Sequence, residues 1–245
     1  MKIILDVENT TVKRDGKLHL DPFEPSNTLT QVGVLNLKGR HHIFTFDHVE
    51  KQDEDGSQRK MLQAVLDKTT LLVGHNLQHD LQWLWACGFI YGGDVYDTML
   101  ADYILQRGQK NSVSLEACAE RYALEYSKQD TLKSYFKEGY ATNEIPLQEL
   151  SEYLTYDLLV TKALYERLEK EYATPEAESL VSVRDISNEV CKVLTKMYMR
   201  GFKIDQKELE KVRFNFEKEL EDIENRLLRT VKSLMGDTPI NLNSP

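Results

Sequence analysis

The chain has 245 residues, a length for one sizeable domain or one domain plus an appendage, and with 41% hydrophobic and 29% charged residues it has the proportions of a folded globular protein. No apolar run approaches the roughly 20 residues of a membrane span. Asp6 comes too early for a secretory leader, and Cys87, Cys118 and Cys191 are too far apart for a CxxC site or a disulfide framework, so a cytoplasmic location is expected. The net charge is −9, and residues 1–175 hold 19 basic against 27 acidic side chains. That balance argues against a broad electrostatic grip on nucleic acid, but it leaves room for an acidic site that attracts phosphate once loaded with divalent cations. Most of the excess reads as solvated acidic surface.

In chain order, Ile3–Val7 is a short apolar run that predicts a buried central strand. Leu29–Leu37 alternates and His42–Phe46 follows across a Lys-Gly-Arg turn, completing a three-strand antiparallel meander. Met61, Leu62, Val65 and Leu66 mark an amphipathic helix, and Leu71–Val73 a second buried strand ended by Gly74. A helix is expected after Asp80, a short strand at Val95-Tyr96, and a helix from about Thr98. The order βββαβαβα predicts an α/β fold, a mixed sheet with helices on its faces. Beyond it, 114–123 and 146–171 read as helices, the latter with Pro146 in its first turn. Residues 127–145 read as a loop with a short helical piece.

The segment Thr174-Pro175-Glu176 is the expected boundary, dividing the chain into domains 1–174 and 175–245. Ile186, Val190, Val193, Leu194 and Met197 form one helical stripe that ends at Gly201. Asp205–Glu208 opens a second helix, along which Leu209, Val212, Phe216, Leu220, Ile223, Leu227 and Leu234 keep near-heptad spacing. An antiparallel helical hairpin on a larger body is preferred over a coiled-coil partner surface.

Three elements carry chemistry. Asp6-Val7-Glu8 puts two carboxylates on one strand face, from Cα atoms roughly 6.5 Å apart. They repel each other unless oxygen-seeking cations sit between them or the strand ends early and leaves them in solvent. His75-Asn76-Leu77-Gln78-His79-Asp80 is a strand-to-helix turn, where Asp80 could serve only as a helix cap and Asn76 only its own loop. A zinc site at His75 and His79 lacks further ligands at the right spacing. Tyr153 and Asp157, at i and i+4, project from one helix face, and alone they read as an ordinary half-buried pair.

Taken together and in this order, DxE, NxxxD and YxxxD resemble the three exonuclease motifs of the DEDD superfamily, in its tyrosine-containing subgroup. The order of elements over residues 1–172 resembles that superfamily's ribonuclease-H-like fold. The resemblance implies that Asp6, Glu8, Asp80 and Asp157 bind two divalent cations, Mg²⁺ or Mn²⁺, and that Tyr153 orients the attacking water. It further implies 3′–5′ hydrolysis of phosphodiesters with release of nucleoside monophosphates. Four acids bring a charge of about −4, which two such ions cancel. Asn9, Thr10 and Asn76 lie beside the acids and are candidates to hold the terminal nucleotide.

The stretch Val95–Ala101 looks like the D-T-M-x-A segment of proofreading domains. Met199–Asp205 and Ile240–Pro245 look like the opening of the polymerase part of family A DNA polymerases, and the early first strand looks phage-like. This implies a proofreading domain acting on single-stranded or frayed 3′ DNA ends. The first helices of a truncated polymerase follow, and the palm and fingers of that polypeptide are absent. The alternatives are a ribonuclease D-like RNA exonuclease, which shares the tyrosine-type site, and an inactive nucleic-acid-binding or docking module. No membrane partner is expected.

Overall fold

The computed structural model describes residues 1–14, 16–125 and 131–236. The chain divides into two compact units, Met1–Arg200 and Gly201–Pro245.

The first unit is built on a five-stranded mixed sheet. β1 (Lys2–Asn9) is followed by a small hairpin, β2 (Val12–Arg14) and β3 (Lys17–His19). Next come β4 (Leu29–Asn36), β5 (His41–Thr45) and a second small hairpin, β6 (Asp47–His48) and β7 (Lys51–Gln52). Helix α1 (Ser57–Leu66), β8 (Leu71–Gly74), α2 (Leu77–Ala86), β9 (Asp94–Asp97) and α3 (Thr98–Leu105) then alternate. The sheet order is β5-β4-β1-β8-β9. β1 pairs antiparallel with β4 and parallel with β8, β4 pairs antiparallel with β5, and β9 pairs parallel with β8. The expected meander and the two later parallel strands are therefore present, with β1 at the centre. The two small hairpins escaped the sequence reading because two- and three-residue strands are too short to show a period.

Helices α4 (Leu115–Arg121), α5 (Thr131–Glu138), α6 (Leu147–Tyr172) and α7 (Glu178–Arg200) complete the unit. The patternless stretch before Pro146 contains α5, whose Leu132 is buried with Ile145 and Leu150 and whose Tyr135 packs on them. Pro146 caps α6 from just outside rather than lying within its first turn. Helix α2 starts at Leu77, before Asp80 rather than after it. Asn76 adopts a left-handed backbone, φ 62°, so Asp80 falls within the first turn. The first compact unit includes α7, which packs on α2, α3 and β9.

The sheet buries two apolar layers. Ile3, Leu5 and Val7 face Leu62, Leu66, Leu77, Leu81, Trp83 and Leu84 of α1 and α2. Ile4 and Val73 face Leu158, Leu164, Tyr165 and Leu168 of α6 on the other side. The face of α7 buried in this unit is Asn188, Cys191 and Thr195, whereas Ile186, Val190, Val193, Leu194 and Met197 are exposed. The apolar stripe is therefore not the buried face of α7.

The second unit contains α8 (Gln206–Met235), which Asp205 caps by accepting hydrogen bonds from the amides of Lys207 (3.0 Å) and Glu208 (3.1 Å). None of its side chains is buried. The Ile240–Pro245 stretch lies outside the described residues. Among the described residues no helix is long and apolar enough to cross a membrane.

Candidate active site

The alternation of β1 turns Asp6 and Glu8 to the same face as Ile4, towards α6, while Val7 goes to the opposite layer. The register with β4 slips after Glu8: Glu8 pairs with Gln31 and Asn9 with Leu29, leaving Thr30 as a bulge. Bulges bend a strand and re-aim the side chains beside them.

Helix α6 lies close over this face because β4 carries Gly33 directly opposite Asp6. A Cβ at Gly33 would come within 2.7 Å of Leu158 Cδ1 and 2.9 Å of Leu154 Cγ. Gln31 fastens the same helix, its amide donating to Ser151 Oγ (2.8 Å) and Thr45 Oγ1 (3.2 Å). This approach brings Tyr153 and Asp157 over the strand acids. Tyr153 faces Asp157 and the strand acids, and Asp157 Oδ1 is buried without a hydrogen-bond partner.

Asp80 arrives from the opposite direction, on the first turn of α2. Its Oδ1 accepts from the Val7 amide (3.2 Å), the same N–H that donates to Asp6 Oδ1 (3.0 Å). The two carboxylates thus converge on one amide at the C-terminal end of β1. Gly74 makes the turn into α2 tight, since a Cβ there would meet Leu77 Cδ1 at 2.5 Å and Asp80 Oδ2 at 3.4 Å.

The electrostatics match the crowding. Burial pushes the Asp6 carboxyl up to about 7, the charge of Asp157 adds to this, and the Val7 amide opposes it. Glu8 is held well above its ordinary value by burial and then by Asp6 and Asp157. Asp80 is raised likewise, by burial and then by Asp6 and Asp97. Asp157 rises to about 6 through burial, against the hydrogen bond from Tyr153. Burial and then the Asp157 charge raise the Tyr153 phenol, so it keeps its proton at neutral pH. Without counter-ions this is an unfavourable assembly.

Its donors suit hard divalent cations: four carboxylates, one with an oxygen that is buried and unsatisfied. Among the described residues no three such side chains already close into a cage, so ligation requires their side chains to draw together. The acids fit the ions by chemistry and by common location.

The three candidate nucleotide-holding residues divide. The Asn9 amide donates to the Thr10 carbonyl (2.8 Å) while its Oδ1 faces His79 Nε2 (2.9 Å), which links the two acid-bearing elements β1 and α2. Thr10 Oγ1 accepts from the Thr28 amide (2.7 Å). Both residues are buried and internally engaged, whereas Asn76 is exposed and helps line an apolar cavity of about 220 Å³ between α2, α3 and α7.

Sequence reasoning missed Asp97. It caps α3 through the Met99 amide (2.9 Å) and also accepts from the amides of Asn76 (3.1 Å) and Leu77 (2.9 Å), which fixes the loop before Asp80. The signal was available: an acid directly before a predicted helix, in the D-T-M-x-A stretch. Gln31 gave no signal. His75 is a structural link, bonded to Thr98 Oγ1 and the Val113 carbonyl at 2.9 Å each.

Comparison with known proteins follows the same lines. A family model described as 3′-5′ exonuclease matches residues 22–173, covering Asp80, Tyr153 and Asp157 but not Asp6 or Glu8. DNA polymerase I of Synechocystis sp. is 30% identical over 131 residues, 53% of this chain and 13% of that protein. DNA polymerase I of Aquifex aeolicus is 25% identical over 206 residues, 76% of this chain and 33% of that protein. The chain thus spans a third or less of the length of these relatives.

Among solved structures, the polymerase domain of Pol1 from M. smegmatis bound to DNA primer-template and dNTP superposes with a TM-score of 0.64. It is 18% identical and covers 99% of this chain and 35% of its own. Brucella melitensis NrnC with bound Mg²⁺ gives 0.57 at 17% identity, covering 84% of this chain and 89% of its own. At these identities the structures establish a shared ribonuclease-H-like exonuclease fold.

Proposed function

The chain belongs to the 3′-5′ exonuclease family, in the DEDD group and of the type found in family A DNA polymerases, and from that premise we propose that it is a metal-dependent 3′–5′ exonuclease acting on DNA. The observation that supports this best is the convergence of Asp6, Asp80 and Asp157 at the C-terminal end of β1, with Tyr153 beside Asp157. Asp6, Glu8, Asp80 and Asp157 would hold two divalent cations, Mg²⁺ or Mn²⁺. Bound there, the ions would neutralise the phosphodiester, acidify the attacking water and stabilise the leaving oxygen.

The chain's own residues supply position. Tyr153 keeps its proton at neutral pH, so it acts as a hydrogen-bonding guide for the water rather than as a base. Asp157 fixes the phenol. The water attacks phosphorus in line, the P–O3′ bond breaks, and the 3′ oxygen takes up a proton. A nucleoside 5′-monophosphate departs. Asn76 is the exposed candidate for contact with the terminal nucleotide, while Asn9 holds β1 and α2 in register through His79.

The DNA reading rests on the DNA polymerase I relatives, in which this segment is one part of a longer polypeptide. On this reading residues 1–174 are the exonuclease domain, residues 175–245 open the polymerase part, and the protein works in the cytoplasm on frayed 3′ ends. The test is degradation of a 5′-labelled single strand, followed as a ladder of products. A ladder shortening from the 3′ end with Mg²⁺ and arrested by chelator is expected. A matched RNA strand cut faster than DNA would replace the reading with a ribonuclease, and no cleavage of either would leave a binding module.

A further inference from the structure

The connection from β1 to β4 is longer than the sheet requires. The two strands are antiparallel neighbours paired up to Asn9 and Leu29, yet residues 10–28 intervene, at the end of β1 where the acids converge. This excursion is pinned rather than loose. The Thr10 amide donates to the Thr28 carbonyl (3.0 Å), Asn27 Nδ2 donates to the carbonyls of His19 and Asp21 (3.1 Å each), and Trp83 Nε1 donates to the Leu20 carbonyl (3.1 Å). From this base the β2–β3 hairpin projects into solvent.

The charge of the hairpin runs against that of the surrounding chain. Residues 12–19 carry Lys13, Arg14 and Lys17 against the single acid Asp15, within a chain of net charge −9. Arg14 and Lys17 pair directly across the hairpin. Like charges in that relation are destabilising, and among the described residues only Arg14 of the three has an acidic partner, Glu24 at 2.6 Å. Lys13 and Lys17 are exposed and have no partner among the described residues. A hairpin stabilised by its own contacts gains nothing from such an arrangement, whereas one that meets an extended polyanion does. Lys13 lies five residues after Glu8, at most roughly 17 Å of chain.

Resting on the exonuclease reading, we propose that the β2–β3 hairpin is a phosphate-backbone grip for the single strand entering the acidic site, with Lys13 and Lys17 as its free cations. It offsets locally the repulsion that an acidic protein presents to a polynucleotide. Its contacts lie upstream of the scissile phosphodiester, so they act on strands and not on the shortest substrates.

The test compares the full chain with the Lys13→Gln/Lys17→Gln variant in two readouts. Losing two phosphate contacts should lower kcat/KM for an oligonucleotide roughly 25-fold at about 0.1 M salt and make its salt dependence shallower by about 1.4 in log–log slope. Dinucleotide hydrolysis should be unchanged. Equal oligonucleotide kinetics in the two proteins, or an equal loss on the dinucleotide, would overturn the grip. Fluorescence anisotropy of the labelled oligonucleotide in chelator reads binding without cleavage. Weaker binding by the variant supports the grip even if the wild type cleaves nothing, in which case the exonuclease reading alone fails. Equal binding overturns it, as does a variant that loses poly-aspartate but not DNA, which would make the hairpin a site for acidic protein segments.

Discussion

The two faces of β1 are made by the same eight residues and serve opposite ends. Ile3, Leu5 and Val7 are buried among the apolar side chains of α1 and α2. On the other face Ile4 is buried against α6, and then Asp6 and Glu8 face Asp157 and Tyr153. The first face lowers free energy by removing apolar surface from water. The second raises it, since four carboxylates share a partly desolvated space and all are pushed towards their protonated forms. Stability and chemistry are thus separated by the two-residue period of one strand, and substitutions on the two faces should have opposite signatures.

The largest effect is expected on the acidic face. Asp157→Ala or Asp6→Ala should reduce single-turnover hydrolysis by at least about 10³-fold, with the metal-free melting temperature unchanged or raised. Near-normal hydrolysis would remove that residue from the site. On the apolar face, Leu5→Ala should cost about 2–5 kcal/mol in denaturant unfolding, yet leave the turnover of the folded fraction nearly intact. A variant that stays stable and loses activity would break the comparison.

Tyr153→Phe keeps the ring and removes one hydroxyl. A loss of roughly 10- to 1000-fold in turnover, with cation dependence preserved, is expected if orientation contributes about 1.4–4 kcal/mol. An unchanged rate would reduce Tyr153 to packing.

The smallest effect is that of pH on stability in chelator. Asp6 and Asp157 titrate at about 7 and about 6 when folded, against a reference of 3.8. The folded state therefore binds more protons than the unfolded state between those values, and this contribution to stability is fully present below about pH 4 and is lost as pH rises to about 7. Asp157 alone supplies up to about 3 kcal/mol of this change. Metal-free unfolding that grows harder from pH 5 to 7.5 would contradict the assignment.

Most of the sheet and all four acids were legible because strands and motif residues leave a strong local signal. Ile3–Val7 could be read as buried, and i, i+2 acids on it had to share a face. What escaped was decided at a distance. The start of α2 depends on the left-handed Asn76 and on Asp97, a carboxylate twenty residues further on. The buried face of α7 left no pattern, because Asn188, Cys191 and Thr195, small or polar, make its buried row, and Asn188 Oδ1 accepts from the Asp97 amide (3.0 Å). A polar row gives no hydrophobic period. Gln31 mattered only once β4 was in register with Glu8, which no local pattern states.

On the proposed reading, the acidic face of β1 gives up stability that divalent cations restore. Thermal unfolding of the wild type and Asp6→Ala, each in chelator and in Mn²⁺, tests it in one experiment. Asp6→Ala is expected to melt at or above the wild type in chelator, and Mn²⁺ to raise the wild type by several degrees and the variant far less. An Asp6→Ala protein that is less stable in chelator and gains as much from Mn²⁺ as the wild type would contradict it.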